Sequence, residues 1–164
     1  MNAAHFHLVV NHLPIIFPIA GSIVLVTALI SKSEPVKRTA YLLFIIGSLT
    51  AIAAMNSGEG AEEVVEHING VSEEYIEKHE EVAKTFAILT AILGGLSLLG
   101  LWASFKKSAL STPVSIGTLI FAAVVLFFGK ETGTTGGEIR HTEIRAEGNQ
   151  ATVPTGKAES EHDE

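Results

Sequence analysis

Apolar positions fall into four long runs, at residues 8–30, 39–55, 82–105 and 113–128, that are almost free of charge. A helix needs about 20 residues to cross roughly 30 Å of hydrocarbon. The first and third runs reach that length alone. The second and fourth reach it with a few flanking residues, which a bundle tolerates. A helix of a soluble bundle would keep a polar stripe, and residues 15–30 and 86–102 have none. The pattern predicts an all-α fold, a bundle of four transmembrane helices.

Local signals set the expected boundaries. Helix one starts near His5 or His7, and Pro14 and Pro18 inside it predict a kink near one membrane face. Helix two runs from about Arg38 to Met55. Gly58 and Gly60 then loosen the chain ahead of a short amphipathic piece at 61–68 in the second connection, and Asn69-Gly70 is a turn signal. Ser72 is a good N-cap, with Glu73 and Glu74 where the helix dipole favours negative charge. Helix three therefore spans about 73–105 and projects beyond the membrane by two or three turns. Gly94, Gly95 and Gly100 in it permit close helix approach. Thr112-Pro113 opens helix four, which gives way to a glycine-rich stretch at 129–137. Residues 1–145 form one transmembrane domain, and the aperiodic polar segment 146–164 reads as a disordered acidic tail.

Charge gives the orientation. Short cytoplasmic loops collect Lys and Arg. The first connection holds Lys32, Lys37 and Arg38, and the third holds Lys106 and Lys107. The second, 56–84, has nine glutamates against Lys78 and Lys84. Both termini are expected on the acidic side, which in a bacterium is the periplasmic side of the inner membrane. The 164 residues carry a net charge of -7, which disfavours nucleic acid as a partner. The lipid bilayer is the expected surrounding. Met1–His7 has no Lys or Arg, so the first run reads as a retained span rather than a signal peptide. With no cysteine, disulfides, thiolate metal sites, iron–sulfur clusters and covalent haem attachment are excluded.

The candidate chemistry lies in histidines. His5, His7, His12, His67, His79 and His141 all fall on the acidic side or at its membrane edge, while His162 is in the tail. His12 lies within the first span, where polar groups ordinarily face the bundle interior, and it is seven residues from His5, so the two share a helix face. His79 continues the stripe Ile76, Ala83 and Phe86, which predicts a core-facing imidazole at the bundle mouth. Glu59 and Glu62 sit nearest the membrane end of helix two, whereas Glu63, Glu66, Glu73 and Glu74 read as a solvated face. Glu138 and His141 give one Glu-x-x-His pair, and a di-iron bundle needs two. Any one of these histidines could equally be satisfied by a neighbouring glutamate or carbonyl. Two uses of the group are chemically sensible. One is b-type haem between two imidazoles, with Arg140 or Arg145 meeting the propionates. The other is a transition-metal ion on His and carboxylate ligands.

Three motifs carry a resemblance. His7-Leu8-Val9-Val10-Asn11-His12-Leu13-Pro14 resembles the opening His-x4-His-x-Pro of a family of bacterial four-helix membrane proteins defined by a domain of unknown function. Gly58-Glu59-Gly60-Ala61-Glu62-Glu63, with Gly70-Val71-Ser72 and Glu77-Lys78-His79-Glu80, is similar to the loop of one of its branches. Gly136-Gly137-Glu138-Ile139-Arg140-His141-Thr142-Glu143-Ile144 resembles its closing motif. The resemblance covers most of 5–145. It implies His7, His12, His79 and His141, with Glu59, Glu62, Glu80 and Glu143, as site residues; His5 and His67 match no position in it. By analogy with four-helix b-type cytochromes it favours haem. The expected function is a redox-linked membrane module that holds haem b or a transition metal and exchanges electrons with a periplasmic or membrane partner. The alternative is a non-catalytic membrane subunit or metal-handling protein whose His/Glu network is structural. A channel or a hydrolase has less to rest on: no inverted repeat, no mid-membrane charge and no nucleophile constellation.

Overall fold

The computed structural model describes residues 2–66, 68 and 71–145. These residues form five helices: α1 (Ala3–Val10), α2 (Leu13–Ser31), α3 (Glu34–Val65), α4 (Glu73–Phe105) and α5 (Ser111–Arg140), followed by a 3-10 turn at Thr142–Ile144. Helices α2 to α5 close a ring in which each packs on its chain neighbours and α2 also meets α5. The short α1 extends α2 and lies on the far end of α3. The predicted tail lies outside the described residues, as do His67 and the Asn69-Gly70 turn.

The expected kink is a break. Pro14 has no N–H for the Val10 carbonyl, and its ring crowds that carbonyl. Helix α1 ends at Val10 and α2 begins at Leu13. The backbone of Asn11 and His12 stays in the right-handed helical region, so the two pieces keep nearly helical phase.

Two expected boundaries need correction. Helix α3 continues ten residues past Met55, through Gly58 and Gly60 and most of the piece assigned to a separate amphipathic segment. Its glycines are not breakers here. A Cβ on Gly60 would stand 2.7 Å from the Ala3 Cβ, so Gly60 is where α1 docks. Similarly, α5 runs straight through the glycine-rich stretch to Arg140. Thr132, Thr134 and Thr135 bond back to carbonyls of the preceding turn, and Gly129 and Gly136 receive Phe86 and His79. Packing against neighbouring helices outweighs the roughly 1 kcal/mol helix penalty of each glycine. Helix α4 has the predicted limits. Ser72 holds its N-cap position in extended backbone, although its hydroxyl makes no capping bond.

The distribution of side chains is inverted relative to a water-soluble bundle. Large apolar residues stand outward, among them Ile23, Ile30, Leu49, Ile88 and Ile120. The interior mixes Leu25, Phe44, Phe86, Leu93 and Val125 with buried hydroxyls: Thr90, Ser97, Ser104, Ser111, Ser115 and Thr118. Small residues let α3 and α4 approach closely. The Ser48 side chain sits over Gly94, and the Tyr41 ring lies against Gly100 and hydrogen-bonds the Ser115 Oγ at 2.9 Å. Gly95 was grouped with them, yet nothing lies within 4 Å of its Cβ direction, because it faces outward. Among the described residues, four helices, counting α1 with α2 as one, are long and apolar enough to cross a membrane.

The basic end is more structured than a charged loop. Lys37 and Arg38 belong to the first turns of α3 rather than to a connection. Lys37 is only 3% exposed, and its ammonium group meets Glu34 at 2.8 Å and the Ser111 and Thr112 hydroxyls at 3.3 Å. Arg38 donates to the Ser104 Oγ and carbonyl and lies over the Phe105 ring. These groups tie α3 to the facing ends of α4 and α5.

Candidate functional site

At the acidic end, four helices each contribute to two imidazoles. His7 on α1 points at α3, where its Nδ1 lies 3.0 Å from the Ser57 Oγ and 3.1 Å from the Ala54 carbonyl. The Ser57 hydroxyl itself donates to that carbonyl. Both neighbours are therefore acceptors, and Nδ1 must carry the hydrogen. His79 on α4 repeats the construction against α5. Its Nδ1 lies 3.1 Å from the Thr135 Oγ1, whose own hydrogen goes to the Thr132 carbonyl. A serine or threonine that bonds back to its own helix thus orients each imidazole, and each Nε2 is left with its lone pair. Histidines that bind metals are oriented in this way by a hydrogen bond on the other ring nitrogen.

Gly136 explains how His79 fits. The ring packs on α5, with its Cε1 3.0 Å, Nδ1 3.3 Å and Nε2 3.6 Å from where a Cβ would be. On α4, Ile76 and Phe86 are buried on the same stripe, as their spacing from His79 predicts. Electrostatically His79 is influenced by His7, and His7 by His12. Asn11 lies one turn from His7 on the same helix face. Its Oδ1 is buried and has no hydrogen-bond partner. A buried acceptor left unpaired costs about 1–3 kcal/mol.

The other candidates lie elsewhere. His12 is exposed, which corrects the expectation that it faces the interior. It follows His7 by five residues, a rotation of about 140° on a helix. It does share a face with His5, but that face points outward, and His5 is exposed too. His141 stands beyond the last turn of α5, exposed, with its Nδ1 2.9 Å from Glu143. The Glu143 carboxyl is held below the usual carboxylate range, first by its own backbone amide and then by His141. Arg140 is exposed. Arg145 is buried: its guanidinium donates to the Glu138 and Ile139 carbonyls at the end of α5 and stacks on Tyr75 at 4.1 Å. Glu138 bonds Lys78 at 2.8 Å, so the Glu-x-x-His pair does not converge.

Glu59 and Glu80 are exposed, and Glu80 pairs with Lys84 at 2.9 Å. Glu62 is half-buried, within electrostatic reach of Glu59, Glu66, Glu73 and Glu80. These carboxylates make the mouth a cation-attracting surface rather than a ligand cage. Among the described residues, no group of three or more His, Asp or Glu side chains could hold a metal ion. Sequence spacing offered no sign of Ser57, Thr135 or Asn11 as parts of the site. The first two act across helix pairs, and Asn11 stands out only once its burial is known.

No family model matches the chain, and neither the curated proteins nor the solved structures give a match.

Proposed function

We propose that the chain is a multi-pass protein of a bacterial inner membrane, with both termini periplasmic, that holds a transition-metal centre between His7 and His79. The centre would serve as a redox-linked module exchanging electrons with a partner on the periplasmic face. The single observation that supports this reading is the matched pair of imidazoles, each fixed by its Nδ1 with Nε2 left bare. Apolar side chains directed outward and hydroxyls directed inward support insertion in a bilayer. The basic groups at one end and the carboxylates at the other support the orientation. The resemblance of the three motifs to a family of bacterial four-helix membrane proteins fits the same reading.

The centre takes one of two forms, haem b or the ion itself. Two imidazoles match the axial ligands of a haem. The candidate partners for its propionates fit poorly, because Arg145 is spent on carbonyls of α5 and on Tyr75, and Arg140 points to solvent. The ion is therefore the form we favour. A second reading has its own observation: each imidazole already ties two helices together, α1 to α3 and α4 to α5. In that case the pair is structural, and the protein is a non-catalytic membrane subunit. Metal and haem analysis of detergent-purified protein separates the readings. About one transition-metal equivalent per chain supports the centre, and metal-free, haem-free protein supports the structural role.

A further inference from the structure

We infer that Asn11 is a third ligand, which with His7 and His79 makes a three-donor site for a divalent transition-metal ion. This rests on the preceding proposal and goes beyond it by naming the form of the centre and a ligand that is neither histidine nor carboxylate.

Asn11 follows His7 by four residues. Its backbone is helical (φ -64°, ψ -22°) and its N–H bonds the His7 carbonyl. Side chains so spaced are neighbours on one face, about 5–6 Å apart at Cβ. Four residues further on, Ile15 reaches Gly129 and Gly133 of α5. His79 lies on Gly136 and Thr135 of that helix, one turn beyond. Asn11 is therefore level with the outer part of α5 that holds His79, just inward of His7. At that depth the Asn11 Oδ1 is a buried acceptor without a donor, and among the described residues the hydrogen bonds of His7 and His79 are made through Nδ1, not Nε2. Among the described residues nothing donates to the Asn11 Oδ1, and a cation held by the two imidazoles would satisfy it.

Two imidazole nitrogens and one amide oxygen suit Zn, Co, Ni, Fe or Cu(II). All three ligands are neutral, so the ion keeps its full charge. The carboxylates of Glu59, Glu62, Glu66, Glu73 and Glu80 at the mouth supply the opposing field. Three protein ligands leave at least one position of the ion open to water or an exogenous ligand.

The test uses the full chain in detergent, stripped with chelator and titrated calorimetrically with Co(II) or Zn(II). The wild type should bind one equivalent. Asn11→Leu, close in volume and without the oxygen, should bind at least about ten-fold more weakly, as for loss of a metal-supporting contact. Asn11→Asp should bind at least about ten-fold more tightly, because a carboxylate replaces a neutral oxygen. Should Asn11→Leu fail to fold, Asn11→Asp decides. Unchanged affinity in either folded variant overturns the inference, as does a wild type that takes up haem and no free ion. If His79→Ala loses the ion while Asn11→Leu keeps it, only the Asn11 assignment fails. If the wild type binds neither ion nor haem, the underlying proposal fails with it.

Discussion

His79→Ala should abolish the metal centre while leaving a folded helical bundle, and His7→Ala should do the same. Loss of a hydrogen-bond partner behind a ligand costs about 10–100-fold in metal affinity, so loss of the ligand itself should exceed about 100-fold. His12→Ala and His141→Ala should keep full occupancy, because one side chain points outward and the other pairs with Glu143 in solvent. Metal content of the four purified variants, with circular dichroism on the same samples, reads this out. Equal occupancy in all four would remove the assignment. Equal loss in all four, with helicity intact, would mean that the sites chosen from sequence are right and the geometry is wrong.

Gly100→Leu should give the largest loss of stability. A side chain at this position runs into the Tyr41 ring, which is fully buried and fixed to Ser115. Overpacking costs about 1–3 kcal/mol, and displacing Tyr41 adds about 1 kcal/mol for its hydrogen bond. Gly95→Leu is the control on the same helix. Its Cβ meets open space, so the change should stay within about 0.5 kcal/mol. Thermal unfolding in detergent distinguishes the two: a marked fall for Gly100→Leu and little change for Gly95→Leu. A similar fall in both would mean that the outward face of α4 is not free.

The same pair of glycines marks how far the sequence can be read. Spacing identified the four apolar helices and even the limits of α4, since hydrophobic runs, Ser72 and the glutamates after it are local signals. Local signals failed where another helix decides. Gly58 and Gly60 read as loosening residues, but Gly60 is the dock for α1. Gly94, Gly95 and Gly100 read alike, although only the first and last face a partner. Lys37 counted as a loop charge, but the Glu34 carboxylate and the Ser111 and Thr112 hydroxyls take it into the bundle end.

The site was legible in halves. His79 followed from its stripe with Ile76 and Phe86, because a helix face is periodic. His12 was misplaced because its position in an apolar run says that it is at membrane depth, not which way it points. Its phase relative to His7 decides that, and His7 is fixed by residues about fifty positions away in α3. Ser57 and Thr135 are ordinary helical hydroxyls until their back-bonds and the facing imidazoles are seen together. The repeated construction is what makes two histidines of the original group more than a compositional bias.

The most direct test of the central claim is X-ray absorption at the metal edge of wild-type protein purified from membranes without chelator. The account predicts a bound transition metal with two imidazole ligands, their nitrogens at about 2.0–2.1 Å if the ion is zinc. A metal-free protein, or a bound metal whose spectrum contains no imidazole scattering, would contradict it.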